Sequence, residues 1–360
     1  MSTKLKKRGH VYLKRIYILS IISSAFIFLC LISVCSKARH PKVFLLTQDL
    51  AIGEESGDEN FVFAGIENLG LDFKENIYIL DRKNFRIQKF SPDGGFLSSI
   101  IIGKGQGPDE VSSILAIAVT ESGGIYALDR NGAKILVIDE QGNFTRSFNL
   151  EFNAINIVPY SNKRLAILGL YKNLIFHVFS PEGVYLESFG EPFEVPAQYA
   201  IYKNFPQIRM PRRADYSRDE SVLLISPHEY EIMVYKEGKI EGIIRHKSDF
   251  FRPLVIKQQA EGRIGMTFPW VSVLKHQNRI YVNIDDLNKD TPNHLDIFED
   301  GRYVTSLKVE GFAYAIDKEG RIYCAEGENI PRVVRYSIKE NRWGNMGLNI
   351  FFIGQADDFK

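Results

Sequence analysis

The sequence predicts an all-β fold, a six-bladed β-propeller of four-stranded antiparallel blades preceded by one N-terminal hydrophobic helix, and three observations predict it. Residues 77–94 (IYILDRKNFRIQKFSPDG) alternate two short β-branched and aromatic runs with two clusters of turn formers, which is a strand, a turn, a strand and a second turn. Residues 125–142 (IYALDRNGAKILVIDEQG) repeat this, keeping the Ile-Tyr-x-Leu-Asp-Arg opening and the closing Gly in register. Further copies at 165–183, 222–238, 280–301 and 322–341 recur at roughly forty to sixty residues, the period of propeller blades and not of ankyrin, leucine-rich or TPR units.

The N-terminus carries a separate signal. Lys4, Lys6, Lys7, Arg8, Lys14 and Arg15, with no acidic residue among the first fifteen, form a basic tail over 1–15 ahead of an apolar run over 16–35. That run has the length of a membrane span, and the basic flank predicts that it stays in the cytoplasm while the rest is exported. A secretory signal usually has a shorter apolar core, so an uncleaved transmembrane anchor is the first expectation. A lipoprotein signal is the alternative: Leu31-Ile32-Ser33-Val34-Cys35 resembles a lipobox with Cys35 as the acylated residue, although Val34 stands where that pattern wants a small residue. A linker over 36–42 then leads to a single repeat domain over 43–360, periplasmic or at the cell surface.

The domain's composition is that of an ordinary globular protein, with 45% hydrophobic and 25% charged residues. The formal charge of +1 is set by the basic tail; the remaining 39 basic and 44 acidic residues leave the body mildly acidic. Nucleic-acid binding needs a basic face, so no nucleic-acid partner is expected. Cys324 is the only cysteine outside the N-terminal segment, in the strand-like Ile322-Tyr323-Cys324-Ala325. It is expected to be a packed thiol, with no internal disulfide possible.

Within the second copy the four strands are predicted at 114–119, 125–128, 135–138 and 144–148, with Gly- and Asn-bearing turns between them. The sixth copy shows three strands, at 312–316, 322–325 and 333–336. Val43-Phe44-Leu45-Leu46 has no blade of its own and is predicted to supply the fourth, closing the ring; 348–353 is an equally strand-like alternative.

Ile77-Tyr78, Asp81, Asn84, Arg86-Ile87 and Phe90-Ser91-Pro92-Asp93-Gly94 together resemble the pattern of the NHL-repeat family of six-bladed propellers. The second copy retains Asp129, Arg130, Ile135 and Gly142 but has Lys134 in place of Arg86, and later copies lose the Asp-Arg pair. The resemblance is closest to the exported bacterial branch, in which a glycine-rich loop like 103–109 follows the first blade. It implies a propeller and a binding role more than a reaction.

Catalytic motifs are few. The sequence has no Gly-x-Ser-x-Gly elbow, no His-Glu-x-x-His and no Cys-x-x-Cys. Gly103-Lys104-Gly105-Gln106-Gly107-Pro108 lacks the ending of a phosphate loop and reads as a tight turn between blades. Asp286, Asn288 and Asp290 begin like a calcium loop, but Thr291 and Ile297 stand where that loop needs Gly and Glu, so a solvated loop is expected and no metal or cofactor. His177, His228, His246, His276 and His294 are scattered over different copies and read as surface or packed side chains.

The insertions are more informative. In an up-and-down blade the turn from second to third strand and the link to the next blade open on the same face. The long segments 191–215, 245–268 and 283–294 and the shorter 103–111 all belong to these two classes. Loops on a rigid scaffold commonly carry function. Tyr199, Tyr202, Phe205, Arg209, Arg212 and Arg213 in one link, and Phe250, Phe251, Arg252 and Trp270 near the other, are of the types enriched at contact sites. They are the candidate ligand-binding residues, with plugging of the central channel or covering of blade edges as the alternative role. The expected function is a membrane-tethered scaffold for a protein, peptide or glycan. The alternatives are a metal-dependent lactonase or lyase with its site in the central channel, and a purely structural envelope protein.

Overall fold

Alternating turn formers and β-branched runs become, in the computed structural model, six consecutive four-stranded sheets. The structure describes residues 42–342 except 130, 132, 162–163, 260–262, 286–291 and 328. The predicted N-terminal helix with Cys35, the residues Asp286, Asn288 and Asp290, and the alternative closing strand at 348–353 lie outside the described residues. No helix among the described residues is long and apolar enough to cross a membrane.

Blade 1 comprises Ile66–Leu71, Ile77–Asp81, Arg86–Phe90 and Phe96–Ile101, and blade 2 comprises Ile114–Val119, Ile125–Asp129, Lys134–Ile138 and Phe144–Asn149. Blades 3, 4 and 5 begin at Asn156–Tyr160, Ala214–Tyr216 and Val271–His276. Blade 6 takes Phe312–Ile316, Ile322–Glu326 and Arg332–Arg342 from the end of the chain and Lys42–Ile52 from its start as the outermost strand. The closing strand lies where the sequence places it, extended to eleven residues. Within the compact unit Leu46–Ile338, Arg335 holds it by donating Nε to Asp49 Oδ1 at 2.6 Å and Nη1 to the Pro92 carbonyl of blade 1 at 2.6 Å. In the smaller unit, Lys42 pairs with Glu340 at 3.2 Å.

Each innermost strand lies beside the next around the full circle, so the six line one axis. Hydrophobic clusters straddle consecutive blades, with Leu80, Ile87, Ile114 and Ile125 between blades 1 and 2, and Phe176, Val178, Val222 and Leu224 between blades 3 and 4. Each such buried side chain contributes about 1.5–3 kcal/mol. The closing glycines of the repeats have a second task. Gly142 adopts φ +88°, and a Cβ there would stand 2.9 Å from Ile100 Cγ1 on the outer strand of blade 1. Gly94 meets Leu50 and Gly183 meets Phe148 in the same way, so the third turn of a blade packs on the blade before it.

Asp81 and Asp129, the acids of the repeat motif, fasten the incoming link of their own blade. Asp81 Oδ1 accepts the Ala64 and Gly65 amides at 3.1 Å each, and Arg86 joins Asp81 Oδ2 at 3.0 Å to the Val62 carbonyl at 2.6 Å. In blade 2, Asp129 accepts the Ser112 hydroxyl at 2.7 Å, while Lys134 donates to the Gly107 carbonyl at 2.9 Å and to that of Glu110. Segment 103–111 is therefore no tight turn. Gly103–Lys104 and Glu110–Val111 pair in parallel at the base of a small loop, and Glu110 Oε2 accepts the Gly107 amide at 2.8 Å.

Candidate ligand-binding site

Because every innermost strand starts on the face that receives the links, the residues just before these strands surround the mouth of the channel. That position brings Arg212, Arg213 and Trp270 together with Asn68, Asn156, Phe312 and Tyr314 around a cavity of about 240 Å³. A second cavity of about 150 Å³ continues along the axis, and Asn68, Asn156, Arg213 and Tyr314 line both. They form the waist of the channel.

The two arginines behave differently. Arg213 is committed to the fold, with Nε donating to Asp215 Oδ1 at 2.6 Å, Nη2 donating to the Tyr314 carbonyl at 3.2 Å, and the guanidinium 4.8 Å from the centre of the Tyr314 ring. Asp215 is buried and its other oxygen accepts the Val273 amide at 2.9 Å, linking blades 4 and 5. Burial pushes the Asp215 carboxyl up, against the pull of Arg213 and the Val273 amide. It also pushes the Tyr314 phenol up to about 12. Arg212, in contrast, lies 5.0 Å from the Phe268 ring and 5.2 Å from the Trp270 ring. It makes no ion pair among the described residues, and burial by its surroundings lowers its pKa from the ordinary arginine value.

Buried amides complete the mouth. Asn156 is 7% exposed and spends Oδ1 on the Ala214 amide at 3.3 Å. Asn68 is 6% exposed and makes no side-chain hydrogen bond among the described residues. Both amides border the cavities. Glu67, at the rim, pairs with Arg82 at 3.2 Å.

At the opposite end an ion pair spans the axis. Glu75, in the first turn of blade 1, receives Arg218, in the first turn of blade 4, at 2.8 Å on both carboxylate oxygens. Blades 1 and 4 face each other across the ring. Burial raises the Glu75 pKa, Arg218 opposes that shift, and Asp317 adds to it.

The other candidate residues lie elsewhere. Phe251 is buried against Tyr230 between blades 4 and 5 and presents no surface to a ligand. Phe250 stacks on His294, Arg252 donates to the Asp249 carbonyl, and Arg209 donates to Asn173 Oδ1 at 3.2 Å. Tyr199 bridges the two long links, its hydroxyl donating to the Leu254 carbonyl and accepting the Ile256 amide, each at 3.4 Å. Tyr202 and Phe205 pack edge to face, and Phe205 is exposed. Sequence reasoning missed Asn68, Asn156 and Tyr314. The available signal for the asparagines was an amide residue within mainly apolar inner strands, Ile66–Leu71 (IENLGL) and Asn156–Tyr160 (NIVPY).

Two of the histidines and the thiol are held within the fold. His177 Nε2 donates to the Gly169 carbonyl at 3.0 Å and Nδ1 accepts from Ser188 at 2.7 Å; His228 Nε2 donates to the Ile208 carbonyl at 2.7 Å. Cys324 is fully buried, which pushes its thiol well up. Among the described residues no three His, Cys, Asp or Glu side chains are placed to hold a metal.

The model of a family described as 6-bladed beta-propeller (DUF5128) matches residues 57–241, which run from blade 1 into the last strand of blade 4. The chain belongs to this family. No curated protein matches it. Among solved structures, a Bacteroides fragilis protein assigned as exported is similar at 11% identity, with 82% of this chain and 95% of that one covered and a TM-score of 0.56. A member of the DUF4221 family from Bacteroides vulgatus is similar at 12%, covering 84% and 100%, with a TM-score of 0.55. Virginiamycin B lyase from Staphylococcus aureus is similar at 11%, covering 82% and 99%, with a TM-score of 0.51. Likeness at these identities is likeness of fold.

Proposed function

We propose that this family member is an exported, membrane-tethered propeller that binds a protein, peptide or glycan through the face carrying the long links. One observation carries the reading: the axial cavity borders that face, flanked by Arg212 and the nearly half-exposed Trp270, while the Glu75–Arg218 pair spans the other end. Concave sites with an apolar lining and a few convergent polar groups are the usual form of a binding site. Export and tethering rest on the basic tail and the apolar run over 16–35, and the exported Bacteroides fragilis protein of similar fold is consistent with them. An NHL-like origin of the repeats is supported by the shared use of Asp81 and Asp129 to fasten the links. Lyase or lactonase chemistry has less support, since Asp72 and Asp215, both bordering the inner cavity, are held by hydrogen bonds within the fold.

The test of the binding face is a pull-down from the native envelope with Arg212→Ala/Trp270→Ala compared with changes at Asp93 and Gln141, in the short turns of the other face. Arg213 is left intact because its loss strands the buried Asp215. Loss of the partner with the first variant and retention with the second is expected; the reverse result overturns the assignment. Alkaline phosphatase fused to the C-terminus should be active, and an intact but inactive fusion overturns export.

A further inference from the structure

We infer that the mouth of the channel is a subsite for an acidic sugar, a ring bearing one carboxylate and several hydroxyls. This rests on the binding face proposed above and names the chemistry it takes. Three independent features converge on it. Arg213 is neutralised by Asp215 and Glu67 by Arg82, so among the described residues Arg212 is the uncompensated charge of the cavity. Its guanidinium lies over the Phe268 and Trp270 rings. A cation held over aromatic rings keeps its N–H groups for hydrogen bonding, and no described residue uses those of Arg212, which suits them to a bidentate carboxylate.

Asn68 and the Nδ2 group of Asn156 supply the second feature, as buried amides bordering the cavity with hydrogen-bonding capacity that no described residue uses. Neither amide is sealed away without a partner; both border the cavity, where a ligand can meet them. An amide both donates and accepts, which is what a hydroxyl requires, whereas an apolar side chain of a peptide would leave both asparagines unmet. The third is Trp270, 46% exposed at the rim, which offers ring surface to the C–H face of a sugar. A net cation, amides with spare capacity and an aromatic platform fit an acidic sugar better than a neutral sugar or a peptide without acidic side chains, neither of which uses the charge.

Binding of gluco-, galacto- and mannuronate trisaccharides to the full-length protein in detergent, measured by titration calorimetry alongside their neutral methyl esters, tests this. At least one acid form should bind, with its ester weaker by about tenfold or more, since hydrogen bonds to charged groups are the stronger ones. Arg212→Gln should abolish that difference, Arg212→Lys should retain part of it, and Trp270→Ala should weaken acid and ester alike, with melting temperatures held near the parent's. Equal binding of acid and ester overturns the assignment of charge. Failure of all three acids to bind at 10 mM overturns the acidic sugar; if the envelope pull-down still depends on Arg212 and Trp270, the binding face stands and only its ligand class falls, and if it does not, both fall.

Discussion

Single side chains in this propeller are held in ionisation states that make its stability depend on pH in predictable directions. Burial holds His177 below its ordinary pKa of 6.5, so the unfolded chain binds the proton more readily. The stability contributed by neutral His177 is therefore complete above about pH 6.5 and is lost as pH falls through its folded pKa. Urea unfolding at about pH 7.5 and pH 5.5 should show a smaller acid loss for His177→Gln than for the parent; equal losses count against the assignment. Asp219 runs the opposite way. Burial raises it, but hydrogen bonds from Lys275, Ser217 and Ser221 outweigh burial and bring it to about 2. Its contribution is present above the ordinary value of 3.8 and disappears as pH falls toward 2.

At the scale of elements, pairs of blades are tied by a few polar contacts. Glu75 is almost fully buried, and Arg218 is its ion-pair partner across the axis. Removing that partner leaves the buried carboxylate without its ion pair, with the Lys318 backbone amide still bonded to it, so Arg218→Ala should cost about 2 kcal/mol, read as a lower denaturant midpoint. Glu75→Gln/Arg218→Gln should recover part of that loss, which a double-mutant cycle measures. The third turns depend on glycine for two reasons at once. Gly142→Ala should destabilise by about 1–2 kcal/mol, because a left-handed backbone disfavours a Cβ and Ile100 stands in its way. If Gly142→Ala melts with the parent, the packing of that turn on blade 1 is unimportant.

For the whole molecule the decisive contact is the one that closes the ring. Without the strand Lys42–Ile52, blade 6 has three strands and Arg335 loses Asp49, while Gly94 loses the Leu50 and Ile52 side chains it packs against. An uncovered sheet edge invites pairing with another chain. A chain beginning at residue 53 should therefore aggregate or unfold, whereas one beginning at residue 42 should unfold in a single cooperative transition. Size-exclusion chromatography and thermal melts of the two compare them directly, and a well-folded monomer starting at residue 53 would show that closure is dispensable.

Much of this architecture is local and so was legible in the sequence. Strand alternation, turn residues and the repeated Asp and Gly positions depend on neighbours within a blade, and they predicted the strands of blade 2 to within one residue at each end. The closing strand was legible as a strand without a blade, although its length was not. What a link does was not legible. Segment 103–111 became an anchored loop because Lys134, over twenty residues away, bonds its carbonyls. The site divided in the same way. Three of the arginine and aromatic residues singled out on the links, Arg212, Arg213 and Trp270, line the cavity, but composition gives Arg212 and Arg213 the same meaning. Only the arrival of Asp215 and Tyr314 beside one of them, and of aromatic rings beside the other, separates a structural cation from an available one. Asn68 and Asn156 sit on different blades and meet at the axis because the ring closes. Local pattern determines the blades; the juxtaposition of residues far apart in the chain is decided by how the blades pack.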